Sequence, residues 1–382
     1  MKVGVTSWFC NVAEWQERVQ TGDFSRAYPI TDSQQLDREL YLADLVEPLG
    51  FDSFWTIEHH FSPYGMTTNP LQLLTYVAGR TSRIELGTMV LVLPWHHPLR
   101  LAESIAMLDN VLKGRRLNIG MGRGAAAREF DGFDIPYGSS RERMLEVLDI
   151  LRTALTTEYF SYSGKFFQIP RAAIRPRPRT PDLTTNMLMT WASPESLKLA
   201  ADSGVAPLFT NLHGIDPLKE GMATFNEIRA QHGWGPSPSA VAITVFCHED
   251  QQHAHEYATH YWRATTGQTI WHYDRLGSPD FMADATPEQR RAVIDHAYQS
   301  QTAAGIFGTP EYVTERIRQI QAAGNVSHLM TLHSFGDMPV AEVERSMRMF
   351  AAEVLPAVQA IPTPDLAAIS YRDLPDQRAV SV

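Results

Sequence analysis

Eight short apolar runs recur along the chain. Between them lie longer stretches whose apolar positions return every three or four residues. The runs are Val3–Thr6, Ser53–Ile57, Ile84–Leu93, Leu117–Met121, Met187–Trp191, Leu208–Thr210, Val241–Cys247 and Leu329–Leu332. Most are continuous in hydrophobicity rather than alternating, as strands buried on both faces are. The stretches between them read as helices. Gln34–Leu49 stops at Gly50, and Asn69–Ser82 opens on a capping Asn69 with Pro70 in its first turn. Leu99–Leu112 stops before Gly114, with Lys113, Arg115 and Arg116 near its negative end. Ser140–Thr156, Ser193–Ser203, Thr309–Ala323 and Val340–Leu355 complete the set.

Strands alternating with helices make parallel β/α units with right-handed crossovers. Eight units close into a (β/α)8 TIM barrel, which takes about 250 residues plus insertions. An open doubly wound sheet is the alternative. The 382 residues leave a surplus, which falls in Asn11–Ser33, Tyr159–Asp182 and Thr265–Ala304. Residues 1–360 read as one barrel domain carrying an insertion at about 265–304. Residues 361–382 are Pro-rich and polar, and read as an arm or a disordered end.

Composition narrows the partners. Hydrophobic residues are 44% and charged residues 20%, a globular balance with ample apolar material for a core. A net charge of −10 argues against a nucleic-acid or anionic-membrane surface. Two cysteines, Cys10 and Cys247, make no disulfide framework, so a cytoplasmic setting is the simpler expectation. No run approaches the ~20 apolar residues of a membrane span.

The candidate chemistry sits where the second run ends, in "FWTIEHHFSPY" (Phe54–Tyr64). Glu58, His59 and His60 fall at the C-terminal end of a barrel strand, the mouth where such folds place their sites. Neighbouring strand residues point to opposite faces, so one histidine faces the mouth and the other packs outward. Histidine titrates near neutrality and suits proton transfer. A metal site is not expected. "HAHEYATH" (His253–His260) resembles HExxH but has one residue too many, so His255 and His260 do not share a helical face.

The runs "GFDSFWTIEHHFSPYGMTTNP" and "SRIELGTMVLVLPWHHPLRLAESIAMLDNVLKGRRLNIGMGRG" together resemble the bacterial luciferase-like family of flavin-dependent monooxygenases. The ordered set includes Glu-His-His-Phe, a Gly-Thr-x-x-x-x-Leu-Pro strand, a His-Pro-x-Arg-x-Ala-Glu helix start and a strand ending in Gly-x-x-Arg-Gly. The likeness thins after Phe133 and returns at "SPESLKLAADSG" and "GTPEYVTERI".

That resemblance implies a (β/α)8 barrel that binds reduced FMN at its mouth. With O2 it would form a flavin C4a-peroxide and oxygenate a small organic substrate, the reduced flavin coming from a separate NAD(P)H-dependent reductase. His59 would be catalytic, Glu58 would hold the flavin's surroundings, and His60 would be structural. Met89 and Val90 would lie beneath the flavin, where the family often has a cis peptide. Arg123 would reach the phosphate. Gly122 stands where some members have a cysteine and would leave room beside the flavin. Ser193 and Ser196 would meet the phosphate, although Ala192 replaces a glutamate that some members carry.

The resemblance implies a mobile lid in the insertion Thr265–Ala304, and Phe9, Trp8, His97, Trp262, Trp271, His272, Tyr273 and His333 are candidates to line or cover a substrate pocket. The resemblance further implies a homodimer, or a multiple of one, through Asn69–Ser82 and Leu99–Leu112. Two alternatives remain open: an F420-dependent hydride-transfer enzyme on the same scaffold, and a non-catalytic flavin-binding protein.

Overall fold

The computed structural model describes residues 1–374 apart from residue 192, 211–213 and 274–285. Its strands are β1 (Lys2–Ser7), β2 (Ser53–Thr56), β3 (Glu85–Val92), β4 (Leu117–Gly122), β5 (Phe160–Ser163), β6 (Gln168–Ala172), β7 (Met187–Thr190), β8 (Ala206–Thr210), β9 (Ser239–Cys247), β10 (Ile306–Gly308) and β11 (Val326–Leu332). Eight pair in parallel in the order β1-β2-β3-β4-β7-β8-β9-β11, and β11 returns to β1. This is the (β/α)8 barrel, and each apolar run of the sequence supplies one of its strands. Every residue of β2, β4, β9 and β11 is buried. Water reaches neither face, so selection for apolar residues acts on both and the alternation disappears.

The barrel wall is tight. Trp55 of β2 is fully buried, and its indole Nε1 donates to Ser53 Oγ at 2.8 Å. A Cβ on Gly87 of β3 would lie 2.2 Å from that indole, so only glycine lets the ring lie across the neighbouring strand.

The insertions carry structure of their own. Tyr159–Asp182 folds into the antiparallel hairpin β5–β6. The expected lid proves partly helical: Thr265–His272 continues the helix Gln251–His272, and Pro287–Ala303 forms a second helix. The segment 274–285 between them lies outside the described residues. The tail is an arm as far as Leu374. Leu366 is buried, Ala368 N–H donates to Thr185 O at 2.8 Å, and Ile369 N–H donates to Gly204 O at 2.7 Å. Thr185 and Gly204 precede β7 and β8, so the arm crosses the floor of the barrel, opposite the mouth. Residues 375–382 lie outside the described residues. No helix among the described residues is long and apolar enough to cross a membrane.

Candidate active site

β2 ends at Thr56, and the chain then turns over the mouth of the barrel. Glu58 and His59 are both buried there. Glu58 is a clamp between strand ends. Its Oε2 accepts from the Val92 amide at 2.7 Å, its Oε1 lies 2.9 Å from His96 Nε2, and His60 Nε2 lies 3.4 Å from the same oxygen. Burial pushes this carboxyl up. His96, His60 and the Val92 amide outweigh that and hold it below the usual carboxylate range.

His59 turns the other way from Glu58, although β2 has already ended at Thr56 and the alternation of a strand does not extend to it. Its Nδ1 lies 3.0 Å from Glu129 Oε1, and its Nε2 lies 3.3 Å from the Tyr273 hydroxyl. Glu129 comes from the short helix Ala127–Gly132 and is fully buried. The same oxygen accepts from the His60 amide at 2.7 Å, and His272 Nε2 stands 3.4 Å away. Burial raises the Glu129 carboxyl, yet the His272 and His59 rings beside it overcome this and bring it to about 2. An ionised Glu129 can only accept. It therefore places the proton of the neutral His59 ring on Nδ1 and turns the Nε2 lone pair toward the Tyr273 hydroxyl.

The donor atoms of His59, Glu129 and His272 lie within 4.8 Å of one another, a set of types that suits a divalent cation. The 3.0 Å contact between His59 and Glu129 is an ordinary N–H···O hydrogen-bond length, and a proton accounts for it.

The opposite wall is built by β3 and β4. The Met89–Val90 peptide is cis, and the pairing of β3 with β4 slips between Thr88 and Leu91. Gly122 does not front open space, contrary to the reading of its size. A Cβ there would lie 2.7 Å from Val90 Cγ2 and 3.1 Å from Thr190 Oγ1. Val90 is β-branched and stiff, so it cannot give way cheaply. Gly122→Ala should destabilise the protein by about 1–3 kcal/mol. A thermal midpoint equal to wild type would show that Val90 moves freely.

Arg123 follows β4, and Ser193 lies three residues beyond β7. The pairing of Met121 with Met189 makes these neighbouring strand ends. Arg123 donates to the Tyr137 hydroxyl at 3.0 Å, its guanidinium 5.2 Å from that ring's centre. Ser193 and Ser196 form a capping box on the helix Pro194–Asp202, with bonds of 3.3 and 2.9 Å. Residue 192 lies outside the described residues.

The pocket candidates scatter. Phe9 is buried with φ 54°, and its carbonyl accepts from Met66, pinning the loop after β1 beneath the mouth. Trp262 is a core residue that donates to Gln301 O at 2.8 Å and ties the two lid helices together. His333 is sealed between Phe51 and Phe350, in the layer of helices, rather than grouped with His59. His97 is exposed on a cleft of about 510 Å³ whose walls include Trp95, Phe133, Arg143 and Phe167. His96 lines the same cleft and connects it to Glu58; His59 does not line it.

Sequence reasoning passed over Glu129. Nothing local marks one glutamate in a six-residue helix, and its role exists only once that helix packs against the end of β2.

A family model described as luciferase-like monooxygenase matches residues 7–326. The alkanal monooxygenase alpha chain of Aliivibrio fischeri is 27% identical over 325 residues, covering 81% of this chain and 89% of its own. The oxygenating constituent of 3,6-diketocamphane monooxygenase from Pseudomonas putida, solved with FMN, superposes with a TM-score of 0.71 over 96% of this chain and 99% of its own, at 21% identity. An F420-dependent secondary alcohol dehydrogenase superposes at 0.68 over 94% and 98%, at 17% identity. The last two share the fold.

Proposed function

The chain belongs to the luciferase-like monooxygenase family, and on that footing we propose that it is an FMNH2-dependent monooxygenase that oxygenates a small organic substrate. The observation that carries this reading is the buried His59, tied to Glu129 through Nδ1 with Nε2 turned to the Tyr273 hydroxyl at the barrel mouth.

The residues present suit a planar cofactor bearing a phosphate. Arg123 is held by a phenol rather than a carboxylate, which leaves its charge for an anion. The capped helix start at Ser193–Ser196 lies at the neighbouring strand end and offers hydroxyls and a positive dipole. Met89 and Val90 form a wall against which a flat ring can lie, and Gly122, lacking a side chain, lets Val90 and Thr190 close in beside it. Bound reduced FMN would give two electrons to O2, one oxygen atom going to the substrate and the other leaving as water. His59 Nε2 would take or return a proton at the reacting atoms. Glu58 would keep β2 and β3 in register around it. The helix end at His272–Tyr273 would exclude water from His59.

A separate NAD(P)H-dependent reductase would supply the reduced flavin. Tyr76 and Met107 are exposed on the helices Pro70–Arg80 and Pro98–Val111, where a second copy of the chain would cover them. Light scattering at micromolar concentration should give a dimer or a multiple, and a monomer would remove this part of the proposal.

The deciding experiment is anaerobic titration with FMNH2 and, separately, F420H2, each followed by mixing with oxygenated buffer. Tight FMNH2 binding with an oxygen-dependent absorbance transient supports the monooxygenase. F420H2 binding with no oxygen-dependent transient would move the protein to hydride transfer. Tight flavin binding with no reaction at all would make it a binding protein.

A further inference from the structure

We propose that His272 is a positioning residue for the His59–Glu129 pair, fixing the Glu129 carboxylate so that Oε1 stays aligned on Nδ1 of His59. Its effect on turnover rests on the flavin reading above; the geometry does not.

His272 ends the long helix Gln251–His272 and is fully buried. It enters the site from the far part of the chain and touches every member of the cluster. Its ring stacks on Tyr64 at 4.5 Å and meets His59 edge-on at 4.8 Å. Its Nδ1 lies 2.8 Å from Ser62 Oγ. That hydroxyl already accepts from the Tyr64 amide at 3.3 Å, so its own proton is free to point at Nδ1. His272 then carries its proton on Nε2, the atom 3.4 Å from Glu129 Oε1.

Glu129 thus has donors on one oxygen only, His59 and the His60 amide. His272 Nε2 faces that oxygen at 3.4 Å, off hydrogen-bond geometry and buried with no hydrogen-bond partner among the described residues. Glu129 Oε2 is buried with no hydrogen-bond partner among the described residues. A carboxylate held on one side can rotate about its terminal bond, and such a rotation would carry Oε1 off His59. The His272 ring, packed edge-on against His59 with Nε2 facing the carboxylate, opposes that rotation.

The charges around His272 keep it in the neutral form that this role needs. The groups facing it are Glu129 and Arg128 from the helix Ala127–Gly132, His59, Ser62 and Tyr64 from the segment after β2, and Tyr273 beside it. Arg128 lies 4.1 Å over the Trp271 ring and donates to Trp271 O at 3.1 Å, so a cation is fixed next to His272. Burial foremost, with His59 and Arg128, pushes His272 down to about 4 against the pull of Glu129. A neutral His272 leaves the negative charge of Glu129 to act on His59.

The test uses His272→Phe, which keeps the ring packing and removes the hydrogen bonds, and His272→Gln, which restores an amide donor. In the flavin-free protein, NMR titration of the His59 ring should shift by about half a pH unit or more in His272→Phe and return most of the way in His272→Gln. With FMNH2 and substrate, kcat should fall about tenfold in His272→Phe with less than about a threefold change in KM, and His272→Gln should recover much of it. A His59 titration in His272→Phe that superimposes on wild type would overturn the proposal and leave His272 as packing alone. An equal shift in both variants would overturn it too. If the wild type makes no FMNH2-dependent product, the flavin reading fails, and the flavin-free titration still decides the role of His272.

Discussion

Replacing His59 by alanine should cut product formation by about 10²–10⁴-fold, the range that a positioned proton-transfer group contributes. FMNH2 affinity should change by less than about threefold, because the proposed phosphate contacts, Arg123 and the Ser193 cap, lie on other strand ends. Alanine would remove a donor from Glu129, yet the His60 amide at 2.7 Å remains. The carboxylate therefore keeps a partner and the fold should survive. His59→Asn separates chemistry from scaffolding, since its amide can still donate toward Glu129 while offering no base. Both variants should bind flavin and fail to turn over. Unchanged turnover in His59→Ala would take His59 out of the mechanism.

The second large effect is on stability in acid. His333 is buried between Phe51 and Phe350, with Nε2 on Thr331 Oγ1 at 3.0 Å and no partner on Nδ1 among the described residues. Burial holds it down at about 3, whereas an unfolded histidine titrates at about 6.5. Between those values the unfolded chain binds a proton that the folded protein refuses. Stability therefore falls as the pH falls, by about 1.4 kcal/mol per pH unit. His272, held at about 4, adds a second proton over pH 6.5 to 4. Glu129, at about 2, contributes stability that is complete above its unfolded value of about 4.3 and is lost below it. The two imidazoles alone remove roughly 5 kcal/mol between pH 6.5 and 4.5, a large part of a typical 5–15 kcal/mol. Urea unfolding at pH 7.0, 5.5 and 4.5 should show this slope. His333→Phe fits among its aromatic neighbours and should flatten the slope by one proton. A variant whose stability falls as steeply as wild type would show that His333 is not the group responsible.

What the sequence made legible follows from where physics is local. Barrel strands must be apolar on both faces, so all eight stood out as runs. The three-residue β10 and the hairpin β5–β6 did not. β10 is too short to show a pattern, and Phe160–Ser163 is only half apolar because one face of the hairpin meets water. Helix ends marked by Asn69 and Ser193 were readable because capping is a contact within four residues. Glu58 and His59 were found through their position at a strand end. Their partners His96, Glu129 and His272 were not identified as such, because each arrives from a different β/α unit. The same reason explains His333: one residue past a barrel strand, its direction depends on Phe350, which the chain reaches only later. Gly122 was recognised as special, but the side chain that demands it, Val90, belongs to the neighbouring strand.

The closure of β11 onto β1 has a consequence in time. Thr331 Oγ1 donates to the carbonyl of Gly4, 327 positions earlier in the chain. During synthesis β1 leaves the ribosome 327 positions ahead of the strand that seals its outer edge. At about 5–20 residues per second, that edge waits roughly 15–65 s for its partner. Over that interval a run of six residues, five of them buried in the finished barrel, offers an open row of amides to any other strand. Crowded nascent chains of this protein should be most vulnerable to mispairing at β1, and a chaperone that shields the first strand would raise the yield of folded barrel more than one acting after release.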